Sequence, residues 1–430
     1  MRIRGSALII TLAVLSGLIA ILASAAATHQ FFVDAESNRL EKTRARMAAM
    51  SGIQNALQVL YAETQDSGAA TTDTGTSGSA ASSSATTLQD AWATFGQTGA
   101  ESFTVGNAKF RAQIVDMSGR VNFNSATEEQ LQRLPLTSEQ IDSLLDFREP
   151  GQDTRPEGGK DAYYNGLTTP YNTKLRPFDT VDELLQVKGF TPDVLFQPQT
   201  QTISSNQVLA GDVSEQPALY DISTVISYSG ETSSAGTAKQ NINNGSTQQK
   251  LQRFVQLGIN PATANTIASR TWTSIGQLRQ QTPGLSLDQQ KQILDTLTIA
   301  NADRSSGKIN INTAPATVLV SIPGMTPDIA TAIVTQQQTG FTTLGDVLDV
   351  AGVTGDALQI VDFLTVNSQT FLVRCLGTSG GATVALEAII DVQNNTPKIM
   401  QITQPPYSNV LERWGWNDTT TTDTVLKDSQ

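Results

Sequence analysis

From Ser6 to Phe32 the chain carries no charged side chain. At about 1.5 Å of rise per residue, a helix of that length crosses a bilayer core of roughly 30 Å. No other feature limits the fold so strongly, because a segment this apolar is discarded after export, held in a membrane or packed against its like. Arg2 and Arg4 precede it and hold the N-terminus on the cytoplasmic side, so everything after Phe32 is expected outside. Three readings stand. "ILASAAA" at 21–27 supplies the small-x-small cut site of a secretory signal peptide. An uncut anchor needs only the length. A short basic leader ending at Gly5, cut ahead of the apolar run, keeps the helix as a building block.

The following stretch, "DAESNRLEKTRARMAAMSGIQNALQVLYAETQ" (34–65), has no turn cluster ahead of Ser51-Gly52 and reads as the same helix continued. Leu40, Met47, Met50, Ile53, Leu57, Leu60 and Tyr61 recur at three- and four-residue spacings as one apolar stripe, with Arg39, Lys42, Arg44 and Arg46 on other faces. A signal peptide has no reason to run unbroken into an amphipathic helix. A shaft does, with its first half in a membrane or against identical neighbours and its second half docked on a globular head.

Composition excludes several functions. A net charge of −12 repels phosphate backbones, so nucleic acid is not an expected partner. The single cysteine, Cys375, forbids an internal disulfide and Cys-rich zinc sites, and its apolar setting "FLVRCLG" reads as core. The one histidine, His29, lies in the apolar run, which leaves the rest of the chain without a Ser-His-Asp triad or a histidine metal ligand. Nothing pairs the remaining carboxylates with a base or nucleophile, so no enzymatic activity is expected.

Past the helix, residues 66–87 are Ser/Thr/Gly/Ala-rich and read as a flexible loop, while "SFTVGNAKFRAQIVDMSGRVNFN" (102–124) alternates like antiparallel strands. An internal repeat follows. "VNFNSATEEQLQRLPLTSEQIDSLLDFR" (121–148) aligns with "ININTAPATVLVSIPGMTPDIATAIVTQQ" (309–337), and "RPFDTVDELLQVKGFTPDVL" (176–195) with "TGFTTLGDVLDVAGVTGDAL" (339–358). Residues 241–294 form a weaker middle copy. The spacing resembles the helix-hairpin-helix family, whose turns often grip DNA phosphates through backbone N–H groups. Here Thr326 stands where a second glycine would sit, Asp328 adds negative charge, and glutamines replace basic residues. The hairpins are therefore expected to be packing modules; a membrane-anchored DNA-binding protein of competence type is the alternative. After the last copy, residues 369–377, 382–392 and 398–403 read as a three-stranded antiparallel meander.

The first copy carries an insertion, residues 149–175. Asp153, Glu157 and Asp161 follow closely on Asp146, and with backbone carbonyls they could supply the hard oxygens that calcium takes. A solvated acidic loop pinned by Tyr163 and Tyr164 is the other reading.

The start "RGSALI" at 4–9, with the helix behind it, resembles the type IV pilin and pseudopilin class. That resemblance implies cleavage after Gly5 by a prepilin peptidase and methylation of the new N-terminus, Ser6. Most members carry a glutamate at the fifth mature position, which here is Ile10, and its loss resembles the minor pseudopilin K branch of the type II secretion system. The branch also carries a calcium-associated loop ending in a GG-x-D-x-YY stretch, matched by Gly158, Gly159, Asp161, Tyr163 and Tyr164; of its closely spaced aspartates only Asp146 matches before "FREPGQD" departs.

The implied fold is α+β and pilin-like: a long N-terminal helix on an antiparallel sheet, interrupted by an inserted all-α domain of helix-hairpin-helix-like repeats. The expected divisions are a leader (1–5), the helix (6–65), a loop with a short helix (66–101), first strands (102–124), the inserted domain (125–360), last strands (361–405) and a polar tail (406–430). The resemblance further implies a subunit at the tip of a periplasmic pseudopilus, anchored in the inner membrane and joined to the minor pseudopilins I and J and other pseudopilins.

Overall fold

The computed structural model describes residues 4–66, 85–198, 217–416 and 422–425. Most of the expected Ser/Thr/Gly-rich loop, the first three leader residues and most of the tail beyond Trp416 lie outside that set.

One helix runs unbroken from Arg4 to Asp66. Its first half is bare, with Ile9, Leu12, Leu15, Leu18, Leu22 and Phe32 all more than half exposed. Among the described residues it is the one helix long and apolar enough to cross a membrane. Its second half lies on a six-stranded sheet in the spatial order Thr396–Thr403, Ala382–Gln393, Thr370–Ser379, Ala108–Asp116, Glu101–Val105, Thr422–Val425. Every pairing is antiparallel except the last.

Alternation decides which side chains meet the helix. Phe371, Val373 and Cys375 face it from the central strand, joined by Phe110, Ala112 and Ile114 on one side and Val384, Leu386, Ala388 and Ile390 on the other. The helix answers with Ala45, Ala48, Ala49, Gly52, Ile53, Ala56 and Leu60. The buried stripe is thus rotated from the expected one: Leu40, Met47 and Tyr61 are exposed. Close approach is the reason. A Cβ on Gly377 would lie 1.9 Å from the Ala45 carbonyl, and one on Gly52 would lie 2.3 Å from Cys375 Sγ, so small residues hold the contact.

The sheet is entered twice. The chain leaves it after Asp116 and returns at Thr370 beside the strand it left, with Asp116 opposite Phe371. The expected first strands therefore end at Asp116, and Val121–Asn122 pairs instead with Ser223–Thr224. The reason is the Asp116 carboxylate itself. It accepts from the Ser118 N–H at 2.7 Å and turns the chain into a short 3-10 segment.

Between these strands the described residues form three units closed in the same way. In each, a two-residue strand pairs in parallel with the segment that ends the unit: Val121–Asn122 with Ser223–Thr224, Gln240–Asn241 with Leu297–Thr298, Ile309–Asn310 with Leu364–Thr365. The first asparagine of each opening accepts from the N–H two residues on: Asn122 from Asn124, Asn241 from Asn243, Asn310 from Asn312. The second then reaches across its unit. Asn124 exchanges two hydrogen bonds with the Phe178 backbone, Asn243 two with Trp272, and Asn312 two with Phe341. Each amide stands in for one rung of a ladder at the point where the chain passes from the first hairpin to the second.

The units follow one another along the chain. Tyr228–Gly230 pairs antiparallel with Arg304–Ser306, so the middle unit is an excursion between these strands. Arg304 lies over the Tyr228 ring at 3.7 Å and reaches Asp391 of the sheet at 3.0 Å.

The tail departs from expectation. Trp414 and Trp416 are buried, Arg413 pairs with Asp221 at 3.1 Å, and the Tyr407 hydroxyl donates to Glu387 at 2.8 Å. Two buried indoles give the start of this polar tail an apolar hold on the head.

Candidate functional site

Two groups of expected site residues lie far apart in the chain. Gly5 and Ser6 fall in the first turns of the long helix, and Ile10 lies a turn further on, 62% exposed. An apolar side chain so exposed on a helix whose neighbours are equally bare is suited to lipid or to the helix of another subunit.

The acidic loop is organised differently from a metal site. Asp146, at the end of helix Ser138–Arg148, is completely buried, with Oδ2 accepting from the Arg155 N–H at 3.1 Å and Oδ1 paired with the Arg155 guanidinium at 3.2 Å. Asp161 opens a short helix, Asp161–Tyr164, and accepts from the hydroxyl and the N–H of Thr173. Those two bonds, the hydroxyl first, hold its carboxyl below the usual range. Asp153 and Glu157 are exposed, and the Glu157 N–H donates to Asp142 at 3.0 Å. The four carboxylates named from the sequence therefore do not converge. Among the described residues no three carboxylate, histidine or cysteine side chains meet as a metal requires.

The backbone oxygens of the loop are also engaged. The buried ammonium of Lys160 donates to the carbonyls of Asp146 at 2.7 Å and Glu149 at 3.0 Å. Lys188 donates to the Glu157 carbonyl at 2.9 Å and pairs with Glu139 at 3.0 Å. These residues do not fit a bound calcium ion, and no step is drawn through one. Counting carboxylates missed the cations; the signal was Arg155 and Lys160 in the same short stretch. The two tyrosines do pin the loop. Tyr164 is fully buried, edge-on to Phe147, and accepts from the Lys188 N–H at 3.1 Å.

At the hairpins, the helix starts are closed by their own side chains. Thr137 accepts from the Gln140 N–H, Thr191 from Val194, Asn260 from Thr263, Ser286 from Gln289 and Thr326 from Ile329. A helix start capped in this way has already used a leading donor that a phosphate would take. Asp328 adds a negative charge in the first turn after Thr326.

Two family models described as type II secretion system protein K match the chain, one over residues 118–197 and the other over 309–367. These stretches are the greater part of the first unit and the whole of the third. Over those stretches the chain is similar to the type II secretion system protein K family. It is a family of structural pseudopilins, and the long apolar helix is in keeping with an inner-membrane anchor. No curated protein matches the chain. Among solved structures, the complex titled GspK-GspI-GspJ from the enterotoxigenic Escherichia coli type 2 secretion system contains a chain 12% identical. The match covers 86% of this chain and 99% of that one, with a TM-score of 0.47.

Proposed function

We propose that this chain is the tip subunit of the type II secretion pseudopilus, where it starts and caps the fibre together with proteins I and J. The observation that carries the reading is the bare apolar helix with Ile10 at the place where the pilin class keeps a glutamate. A subunit that must accept another above it needs that carboxylate to neutralise the next N-terminus. A terminal subunit does not, and an unpaired carboxylate in lipid would cost several kcal/mol.

The three inserted units support the same position. They leave the sheet between two neighbouring strands and add a body larger than the head itself, which obstructs stacking of a further subunit. In this reading the chain is cut after Gly5, methylated on Ser6, spans the inner membrane once and holds residues beyond Phe32 in the periplasm. Proteins I and J are its neighbours, as in the complex whose title names the three together.

Mass spectrometry of the chain purified from its own membranes tests the reading, with co-purification of I and J read in the same sample. An N-methylated Ser6 start with I and J at equal stoichiometry is the expected result. A start near Ala26, or a methylated chain recovered without I and J, overturns it.

A further inference from the structure

We propose that Lys160 and Arg155 fill the cation position of the loop at 149–175, so that this chain folds there without calcium. Helix Ser138–Arg148 ends against the loop and leaves carbonyls without helical donors, at the negative end of its dipole. A divalent ion could serve such carbonyls together with a nearby carboxylate, taking about six to eight oxygens. Here an ammonium does so. Lys160, 5% exposed, donates to the Asp146 and Glu149 carbonyls at 2.7 and 3.0 Å.

The charges already balance. The carboxylates of Asp146 and Glu149 face the guanidinium of Arg155, at 3.2 and 2.8 Å, and the Lys160 ammonium sits on their backbone oxygens. Arg148 also reaches Glu149 at 3.6 Å and Asp161 feels the Lys160 charge, so three negative groups meet three positive ones, and adding a divalent ion would leave an excess of positive charge beside a fully buried carboxylate. Space agrees with charge. A Cβ on Gly158 would lie 2.0 Å from Asp146 Oδ2, so the loop backbone closes directly on the carboxylate that an ion would need. A second ammonium, Lys188, serves the outer carbonyls, at 2.9 Å from Glu157 and 3.4 Å from Gly158.

The inference is independent of any position in a fibre, because it concerns folding alone. The full chain in mild detergent is unfolded by heat, followed by near-ultraviolet circular dichroism, once with chelator and once with millimolar calcium chloride. The wild-type midpoint is expected to be the same in both, and calorimetric titration with calcium is expected to show no saturable heat. Lys160→Met, which keeps most of the stem and removes the charge, lowers the midpoint by several degrees in either condition. A wild-type midpoint that falls on chelation, a saturable calcium site, or a Lys160→Met midpoint equal to wild type overturns the proposal. If Lys160→Met fails to fold, the two wild-type measurements decide the matter.

Discussion

The side-chain amide of Asn312 exchanges two hydrogen bonds with the backbone of Phe341, donating to its carbonyl at 3.0 Å and accepting from its N–H at 2.6 Å. Both groups are buried, so no water replaces a lost partner. Asn312→Ala leaves an N–H and a carbonyl unsatisfied at about 1–3 kcal/mol each, for an expected loss of about 2–6 kcal/mol. Asn124 and Asn243 make the same pair of bonds from half-buried positions, and their alanine variants are expected to lose less. Denaturant unfolding of the three variants checks the order. Equal losses at all three would show that burial does not set the cost.

Asp116 gathers the junction between sheet and inserted units. Its carboxylate accepts from the Ser118 N–H, Asn310 Nδ2, Thr313 Oγ and Ser368 Oγ, at 2.6 to 2.9 Å. Burial pushes its carboxyl up against the pull of those four donors. Asp116→Ala orphans the Ser118 N–H and two hydroxyls, while Asn310 Nδ2 keeps Thr86 and Ser368, and is expected to cost about 3 kcal/mol or more; Asp116→Asn keeps the shape and lets the two hydroxyls turn round to accept, so that Asn310 Nδ2 alone loses this acceptor and the cost is smaller. The alanine variant should also gain protease cuts close to 116 and 369, where the chain leaves and rejoins the sheet. Unchanged cutting would separate this carboxylate from the integrity of the junction.

How far the fold could be read from sequence depends on which force sets each element. The three copies were legible because an Asn-x-Asn opening, a turn and a helix recur, and the bonds of the Asn310 side-chain oxygen and the Asn312 amide are local or fall within one unit. The helix face was not. Hydrophobic periodicity weights Leu40 and Met47 above Ala45 and Ala49, but a helix lying directly on a sheet selects by size, and only the strand opposite, with Gly377 and Cys375, reveals that. At the loop, carboxylate spacing drew attention to Asp146 and Asp161 and passed over Lys160, whose role depends on the carbonyls at a helix end. Tryptophans at 414 and 416 were a visible sign that the start of the polar tail packs on the head.

The small-residue contact yields its own prediction. Gly377→Ala would set a methyl 1.9 Å from the Ala45 carbonyl and 2.7 Å from the Ala49 N, both backbone atoms that cannot swing aside. Helix and sheet must separate by tenths of an ångström or more along Ala45, Ala48 and Ala49. The expected loss is about 1–3 kcal/mol, read as a lower thermal midpoint together with faster labelling of Cys375, whose thiol is fully buried beneath the helix. A variant with an unchanged midpoint and an unreactive Cys375 would mean that the two layers are looser than their contacts imply.

Lys239 gives a pH dependence with a definite sign. Its ammonium donates to the Leu294 carbonyl at 2.9 Å, with Lys308 repelling it and Glu231 and Asp295 attracting it. Burial, then Lys308, lowers its pKa from 10.5 to about 8. A lysine whose folded value is depressed contributes stability that is present above 10.5 and lost as pH falls through about 8, because the unfolded chain takes up the proton first. Below about 8 the folded protein therefore carries a penalty that Lys239→Met, which has no proton to bind, escapes. The variant's advantage over wild type should shrink by about 3 kcal/mol between neutral pH and the upper end of that window. Comparing the pair by denaturant unfolding at both ends cancels every other titrating group they share. A difference that stays constant with pH would place the Lys239 ammonium in contact with water in the folded state.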